Sequence, residues 1–244
     1  MKVIIPAAGY ATRLWPLTKN QPKALLMVKG KPIVEHIIKK IMAFDEVDEL
    51  YLVSNEKFFT HFDSWNKSFS CNIPIAIFND KTMSNDDRLG QIGDIQFAIE
   101  TSGIDDDLLI IAGDNLFNFS LQPCYDFFRE KRKIVNGLWD CRSKEEATHM
   151  GIVAVNSERK IISFVEKPKD PPSTLASIGL YFIPMENVAL FREYIDEGND
   201  ADKMGYFMEW ALDKETLYGY VYREKWFDIG RHEALRVARK EFEP

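Results

Sequence analysis

The chain has 244 residues, a formal net charge of −7, and is 45% hydrophobic and 28% charged. This balance is close to the globular average and excludes a disordered chain, a collagen and a coiled coil. No apolar run approaches the roughly 20 residues of a membrane-spanning helix. The absence of a Lys/Arg cluster argues against nucleic-acid binding, whereas a small anionic ligand needs only a few cations and backbone amides.

Lys2–Pro6 is a short β-rich run that ends in small residues. Ile33, Val34, Ile37, Ile38, Ile41 and Met42 recur at helical spacing, Glu49–Ser54 is a strand, and Phe58, Phe62 and Trp65 mark a second helix. Ile75–Phe78 is a third strand, followed by a polar loop over Asn79–Arg88 and a helix from about Ile92 to Glu100. Leu108–Ala112 is the clearest buried strand and ends in Gly113-Asp114-Asn115. Alternating strands and helices predict a mostly parallel sheet with helices on both faces. The second half is richer in strands, at Ile134–Trp139, Gly151–Val155, Ile161–Glu166, Ser177–Ile183 and Leu217–Tyr222. Helices are predicted over about Met185–Glu197, Tyr206–Lys214 and Arg231–Phe242, and the prolines of Lys167–Pro172 make that stretch a loop.

Three widely spaced cysteines, Cys71, Cys124 and Cys141, predict neither a disulfide framework nor a zinc site. The apolar run at Met1–Pro6 is too short for a signal peptide. These two features lead to the expectation of a cytoplasmic protein in a reducing compartment.

Candidate chemistry begins at Pro6-Ala7-Ala8-Gly9-Tyr10-Ala11-Thr12-Arg13. A strand ending in small residues lets a ligand touch backbone, and successive N–H groups in such a turn form an anion nest. The loop lacks the glycines of the dinucleotide fingerprint and the Gly-Lys-Ser/Thr of a P-loop. Arg13 and Lys23 add a planar fork and a point charge suited to phosphate. Asp114 ends the most apolar strand, so its carboxylate is expected at the ligand edge of the sheet. Asp105-Asp106-Asp107 lies at the other end of that strand and reads as a solvated turn. The aromatics Trp139, Tyr206, Phe207, Trp210, Trp226 and Phe227 are core by default, although a cluster of their faces would hold a quaternary ammonium group.

Ala7-Ala8-Gly9-Tyr10-Ala11-Thr12-Arg13-Leu14-Trp15-Pro16-Leu17-Thr18, then Pro22-Lys23-Ala24-Leu25-Leu26, Val28 and Lys31-Pro32-Ile33, resemble the opening signature of the sugar-phosphate nucleotidylyltransferases, also called nucleotide-sugar pyrophosphorylases. Later marks follow in order. Leu89-Gly90-Gln91-Ile92-Gly93 resembles the family's Leu-Gly-Thr-x-Gly loop, Gly113-Asp114 its metal site, Glu166-Lys167-Pro168 its Glu-Lys-Pro motif, and Trp226-Phe227-Asp228-Ile229-Gly230 its Trp-x-Asp-x-Gly motif. Ala8 and Ala11 stand where many members carry glycine, and Gln91 where threonine is frequent. An added methyl at Ala11 disfavours a positive φ. No hexapeptide repeats of a left-handed β-helix follow.

The resemblance implies an α/β, three-layer sandwich of the Rossmann-like nucleotide-diphospho-sugar transferase type, with a mixed, mostly parallel central sheet. It implies one domain over residues 1–244, with a nucleotide half at about 1–120 and a phosphomonoester half at about 121–244. The implied reaction joins a nucleoside triphosphate to a sugar 1-phosphate and releases pyrophosphate. Arg13 and Lys23 are the implied catalytic cations, and Ala7, Ala8, Gly9, Thr12 and Gly90 the nucleotide contacts. Gly151, Glu166, Lys167 and Gly179 are the implied phosphomonoester contacts, and Asp114 and Asp228 the ligands of Mg²⁺. Gly151 and Gly179 also read as local sheet irregularities. No nucleic-acid or membrane partner is implied, and an oligomer is compatible. Competing readings are a CTP-dependent cytidylyltransferase acting on phosphocholine, a glycosyltransferase, and a non-catalytic regulatory subunit. Gly113-Asp114-Asn115 lacks the Asp-x-Asp of glycosyltransferases, and neither Lys23 nor Asp114 is lost as in a regulatory subunit.

Overall fold

The computed structural model describes Met1–Pro244. Its first half contains β1 (Lys2–Pro6), a short hairpin of β2 (Met27–Val28) and β3 (Lys31–Pro32), α1 (Ile33–Met42), β4 (Glu49–Ser54), α2 (Glu56–Ser68), β5 (Ile75–Asn79), α3 (Gly90–Ser102), β6 (Leu108–Ile111) and β7 (Asn115–Phe117). Then come α4 (Gln122–Lys131), β8 (Ile134–Asp140), α5 (Lys144–Ala147), β9 (Gly151–Val155), β10 (Ile161–Glu166), β11 (Leu175–Ile183), α6 (Leu190–Asp196), α7 (Met204–Ala211), β12 (Leu217–Tyr222), β13 (Trp226–Asp228) and α8 (His232–Glu241).

One nine-stranded sheet runs through both halves in the order β10-β9-β11-β6-β1-β4-β5, with β8 also paired to β11 and β12 paired to β8. The pairs β6–β1, β1–β4, β4–β5 and β8–β12 are parallel. β11 is antiparallel to β6, β8 and β9, and β10 is antiparallel to β9. By direction, therefore, only β10 and β11 run against the other strands, and the sheet is mixed and mostly parallel as expected.

Each face of the sheet is covered by helices. Side chains alternate along a strand, so β1 sends Val3 and Ile5 to one core and Ile4 to the other. The first core takes Val34, Ile37 and Ile41 of α1, Phe58 and Phe62 of α2, Phe128 of α4 and Leu235 of α8. The second takes Ile92 and Ile95 of α3, Phe191 and Tyr194 of α6, and Phe207 and Met208 of α7. No helix is long and apolar enough to cross a membrane.

Several elements differ from expectation. The helix expected over Met185–Glu197 is a 3-10 turn at Met185–Asn187 followed by α6. Pro184 fixes the entry, and its carbonyl accepts from the Asn187 N–H at 2.8 Å, which closes the tighter turn. Helix α7 starts two residues earlier than expected and ends at Ala211, where a turn binds Lys214 and Glu215 back to the Ala211 carbonyl. Helix α4 and the ribbon of β7 with β13 were not anticipated. The acidic run sits at the amino end of β6, far from the carboxyl edge: Asp106 holds the N-terminal amine with Asp48, and Asp107 pairs with Arg132. All three cysteines are free thiols.

Candidate functional site

A cleft of about 580 Å³ opens at the carboxyl ends of β1 and β6 and reaches across to β9, β10 and β11. It forms where β11 changes partners: its early residues pair with β9, its late residues with β6, and the register shifts between Ser177 and Tyr181. Gly179 lies in that shift at φ +66°, and a Cβ there would come within 2.8 Å of the Ala112 side chain. Thus this glycine does mark a sheet irregularity, at the point where its carbonyl still accepts from the Ala112 N–H at 2.8 Å beyond β6.

The loop after β1 lines one wall. The Ala7 N–H is taken by the Val53 carbonyl and the Leu14 N–H by that of Ala11, whereas the four N–H groups from Ala8 to Ala11 have no acceptor within the protein. A run of free amides at a strand end is the anion nest the sequence suggested. Three side chains fix its shape. Asn55, the N-cap of α2, donates to the Ala8 carbonyl at 2.6 Å, Thr18 donates to the Ala11 carbonyl at 2.8 Å, and the Tyr10 hydroxyl donates to the Thr82 carbonyl at 3.0 Å. Ala11 does adopt the left-handed conformation, at φ +47°. The loop keeps the geometry a glycine would give and carries the strain of a methyl group, about 1–2 kcal/mol. Ala11→Gly should therefore raise the melting temperature by about 2–8 °C, read by differential scanning calorimetry. A lower melting temperature would show that Thr18 already relieves the strain.

The second wall holds the carboxylates. Asp114 follows β6, and Asp228 ends β13, which pairs with β7 so that Asp228 stands opposite Asn115. Asn115 locks this corner: its carboxamide donates to the Ile178 carbonyl and accepts from the Trp226 indole at 3.2 Å. The Lys23 ammonium donates to Asp114, and both side chains are about three-quarters buried. Burial alone would raise the Asp114 pKa, but Lys23, with Arg13 behind it, more than offsets that and holds the group below the usual carboxylate range. Asp228 is reached by water at the cleft mouth but enclosed elsewhere. Its desolvation, then the charge of Asp114, push it up to about 6 against Lys23, Arg13 and Arg231. Nowhere do three or more His, Cys, Asp or Glu side chains converge as a closed metal cage. Two oxygen ligands of this kind, already attracting an ammonium, suit a hard divalent cation that fills its shell with water and phosphate.

The third wall is Glu166-Lys167 at the end of β10. The Glu166 carboxylate lies between the ammonium groups of Lys203 and Lys167, at 3.8 and 4.0 Å. Gly151 leaves room for it, since a Cβ there would sit 3.1 Å from Glu166 Oε2. Lys167 is itself left-handed at φ +50°. Gly90, which opens α3, has φ +80°, and the backbone of Ala201 and Asp202 passes where its Cβ would be.

Residues 2–243 match the family of nucleotidyl transferases. The chain belongs to that family. Among curated members it is 28% identical over 245 residues to the bifunctional protein GlmU of Methanocaldococcus jannaschii, covering 98% of this chain and 54% of that one. It is 28% identical over 183 residues to the UTP–glucose-1-phosphate uridylyltransferase AglF of Haloferax volcanii, covering 74% and 71%. The chain thus spans little more than half the length of the first of these relatives. A solved UDP-glucose pyrophosphorylase complexed with UDP-glucose superposes with a TM-score of 0.82 at 20% identity, over 98% of this chain and 97% of that one. That likeness fixes the nucleotide-diphospho-sugar transferase fold.

Family members are expected to use thirteen positions of this chain. All thirteen line the one cleft: Ala7, Ala8, Gly9, Thr12, Arg13, Lys23, Gly90, Asp114, Gly151, Glu166, Lys167, Gly179 and Asp228. The aromatic residues do not converge there. Phe207 and Trp210 pack with Tyr194 on the α6–α7 side, and of the six aromatics only Trp226 lines the cleft. Several cleft residues had no motif to mark them: Asp80, Asp94, His149, Tyr181 and Lys203. Asn55 had a legible signal, an Asn between a strand and an amphipathic helix, which is the N-cap pattern.

Asp80 and Asp94 are a buried acid pair at the nucleotide end. Burial raises both pKa values; the Asp80 charge and hydrogen bond push Asp94 up further, well above the usual carboxylate range, whereas the hydrogen bonds from Thr82 and from Asp94 act to lower Asp80. The folded chain therefore holds a proton that the unfolded chain releases above about pH 4, so stability falls as pH rises past that point. Asp94→Asn removes this proton uptake. Its melting temperature should decline less than the parent's between about pH 4 and 7, as followed by circular dichroism.

Proposed function

We propose that this chain is a nucleotidylyltransferase that joins a nucleoside triphosphate to a sugar 1-phosphate with release of pyrophosphate. One observation carries the reading. Asp114, Asp228 and the Lys23 ammonium meet beside a loop whose amides from Ala8 to Ala11 are free. This arrangement suits a polyphosphate at the point where one phosphorus is attacked. The nucleophile, a phosphate monoester, is already an anion, so no general base is needed and catalysis is positioning plus charge stabilisation.

The roles follow from placement. The Ala8–Ala11 amides, Thr12 and Arg13 bind the triphosphate, with Ala7 and Gly90 shaping its bed. Lys23 leaves Asp114 to screen charge at the reacting phosphates. Lys167 orients the monoester, Glu166 accepts hydrogen bonds from its hydroxyls, and Gly151 and Gly179 keep the approach open. Asp114 and Asp228 would hold Mg²⁺, which when bound supplies Lewis-acid polarisation of the phosphoryl oxygens. The named activity of the Haloferax volcanii relative, uridylyl transfer to glucose 1-phosphate, supports a sugar phosphate as acceptor. A phosphocholine acceptor would call for several aromatic faces around its ammonium group, and of the six aromatics singled out in the sequence only Trp226 lines the cleft, with Phe164 and Tyr181. We place the reaction in the cytoplasm, in keeping with three free thiols.

The test is incubation with Mg²⁺ and each pair of UTP, dTTP, CTP, GTP or ATP with glucose 1-phosphate, other sugar 1-phosphates or phosphocholine. Pyrophosphate and product mass are the readouts. A nucleotide-sugar product supports the reading and fixes the base, while phosphocholine turnover moves the acceptor class. No product from any pair, by a chain that binds triphosphate, sinks the transferase reading.

A further inference from the structure

A hydrogen-bonded relay of buried groups runs from the amide loop to helix α3. Tyr10 follows Gly9 and is 7% exposed; its hydroxyl donates to the Thr82 carbonyl. Thr82 in turn donates to Asp80 twice, from its N–H to Oδ1 at 2.7 Å and from its hydroxyl to Oδ2 at 3.1 Å. The Asp80 carboxyl is hydrogen-bonded to that of Asp94, one turn into α3 from Gly90. Asp80 is 9% exposed and Asp94 6%. The charged groups facing the pair are acidic, each carboxyl facing the other and Asp87 facing Asp80.

Two carboxyls in hydrogen-bond contact, with no cation beside them, hold one proton between them. The two donors from Thr82 favour the ionised form of Asp80, so the proton belongs to Asp94. Asp94 Oδ1 has no partner. An orphaned carbonyl oxygen of a neutral acid is tolerable in the interior, whereas an orphaned carboxylate is costly. None of the thirteen expected contacts explains why two acids are buried here.

The loop gives the explanation. Its shape is fixed at three points, at Ala8 by Asn55, at Ala11 by Thr18, and at Tyr10 by Thr82. The third reaches a residue outside the strands and helices: Thr82 sits in the polar stretch after β5, where its carbonyl also accepts from the Glu56 N–H at 3.1 Å and its own N–H and hydroxyl are held by the Asp80 carboxylate. We propose that Asp94, as a carboxylic acid, is a positioning residue for the triphosphate: its proton holds Asp80, which through Thr82 fixes Tyr10 and the free amides around it. The inference rests on the reading of that loop as the triphosphate site. It assigns Asp94 a role in nucleotide affinity and none in the chemical step at Asp114 and Asp228.

Three variants test it: Asp94→Leu, Asp94→Asn and Tyr10→Phe. Triphosphate binding is read by calorimetry without turnover, and KM and kcat are read separately. Asp94→Leu should weaken triphosphate binding and raise its KM by about tenfold or more, with kcat and the monoester KM within about threefold of the parent. Asp94→Asn should bind within about threefold of the parent, because its carboxamide N–H replaces the acid O–H toward Asp80. Tyr10→Phe should weaken binding in the same way. The double variant Tyr10→Phe/Asp94→Leu should be no worse than Asp94→Leu alone, since both cut one relay. Unchanged binding in Asp94→Leu, additive losses in the double variant, or an Asn variant as poor as the Leu variant would each overturn the proposal. If Asp94→Leu does not fold, the Asn and Phe variants decide: the first near the parent and the second impaired supports the relay, and any other result rejects it. A chain that binds triphosphate but transfers nothing defeats the transferase reading and leaves the relay standing. A chain that binds no triphosphate defeats both.

Discussion

Lys23→Ala and Asp114→Asn should each lower kcat by about 10²–10³, the usual loss for one preorganised charge at a reacting centre. The two residues form a single ion pair, and Asp228 across the β7–β13 ribbon feels both charges. Groups that act as a unit do not contribute independently. The double variant should therefore be little slower than the slower single variant. Pyrophosphate release under saturating substrates checks this, with circular dichroism to confirm folding. Lys23→Ala also leaves Asp114 without its cation, so the Asp114 pKa should climb toward the range that burial alone dictates. A Lys23→Ala enzyme keeping more than about a tenth of parental kcat would remove Lys23 from the charge-stabilising role.

Gly90→Ala should cost about 3 kcal/mol of stability or more. Strain at φ +80° accounts for part of this, and overpacking against a backbone that cannot give way accounts for the rest. For a chain of this size that is a fall of about 6–12 °C in melting temperature. The clash is with Ala201 and Asp202, which precede α7, so the substitution pries the start of α3 away from the second half. The Ile92 N–H to Ala201 carbonyl bond at 2.9 Å and the Arg88–Asp202 ion pair should loosen with it. The affinity for triphosphate should fall alongside stability. A variant as stable as the parent would mean that the 201–202 segment moves freely.

What could be read in the sequence follows the length and periodicity of each element. Strands β1, β4 and β6 and helix α1 are runs of Val, Ile and Leu with clear spacing, and the sequence places them within a residue or two. Helix α4 escaped because Pro123 and a mixed run of Cys124, Tyr125, Phe127 and Phe128 blur the pattern, although proline in a first turn is no obstacle to a helix. The ribbon of β7 and β13 escaped because three residues give no period, and its partners meet only once the chain has folded. The site divides in the same way. Motif residues such as Lys23, Asp114 and Glu166 carry their spacing with them and all reach the cleft. Asp94 does not announce itself, since a lone Asp on a helix reads as a solvated charge. Only the approach of Asp80 makes it an acid pair. Ala11 was legible as a departure from glycine, yet only the backbone shows that the left-handed turn was kept.

The β7–β13 ribbon also bears on when the protein becomes competent during its own synthesis. Asp114 and Asp228 are 114 residues apart in the chain. At roughly 5–20 residues per second, a ribosome adds the first carboxylate about 6–23 seconds before the second. Strands β1, β4, β5 and β6 can pair with one another in that interval, although β6 still lacks β11, its partner on the other edge. The connection after β12 is exposed at Arg223, Glu224 and Lys225. A proteolytic cut between Tyr222 and Trp226 would sever no strand of the nine-stranded sheet and would leave Asp228 on a fragment held only by its pairing with β7 and by Ile229, Leu235 and Phe242 in the first core.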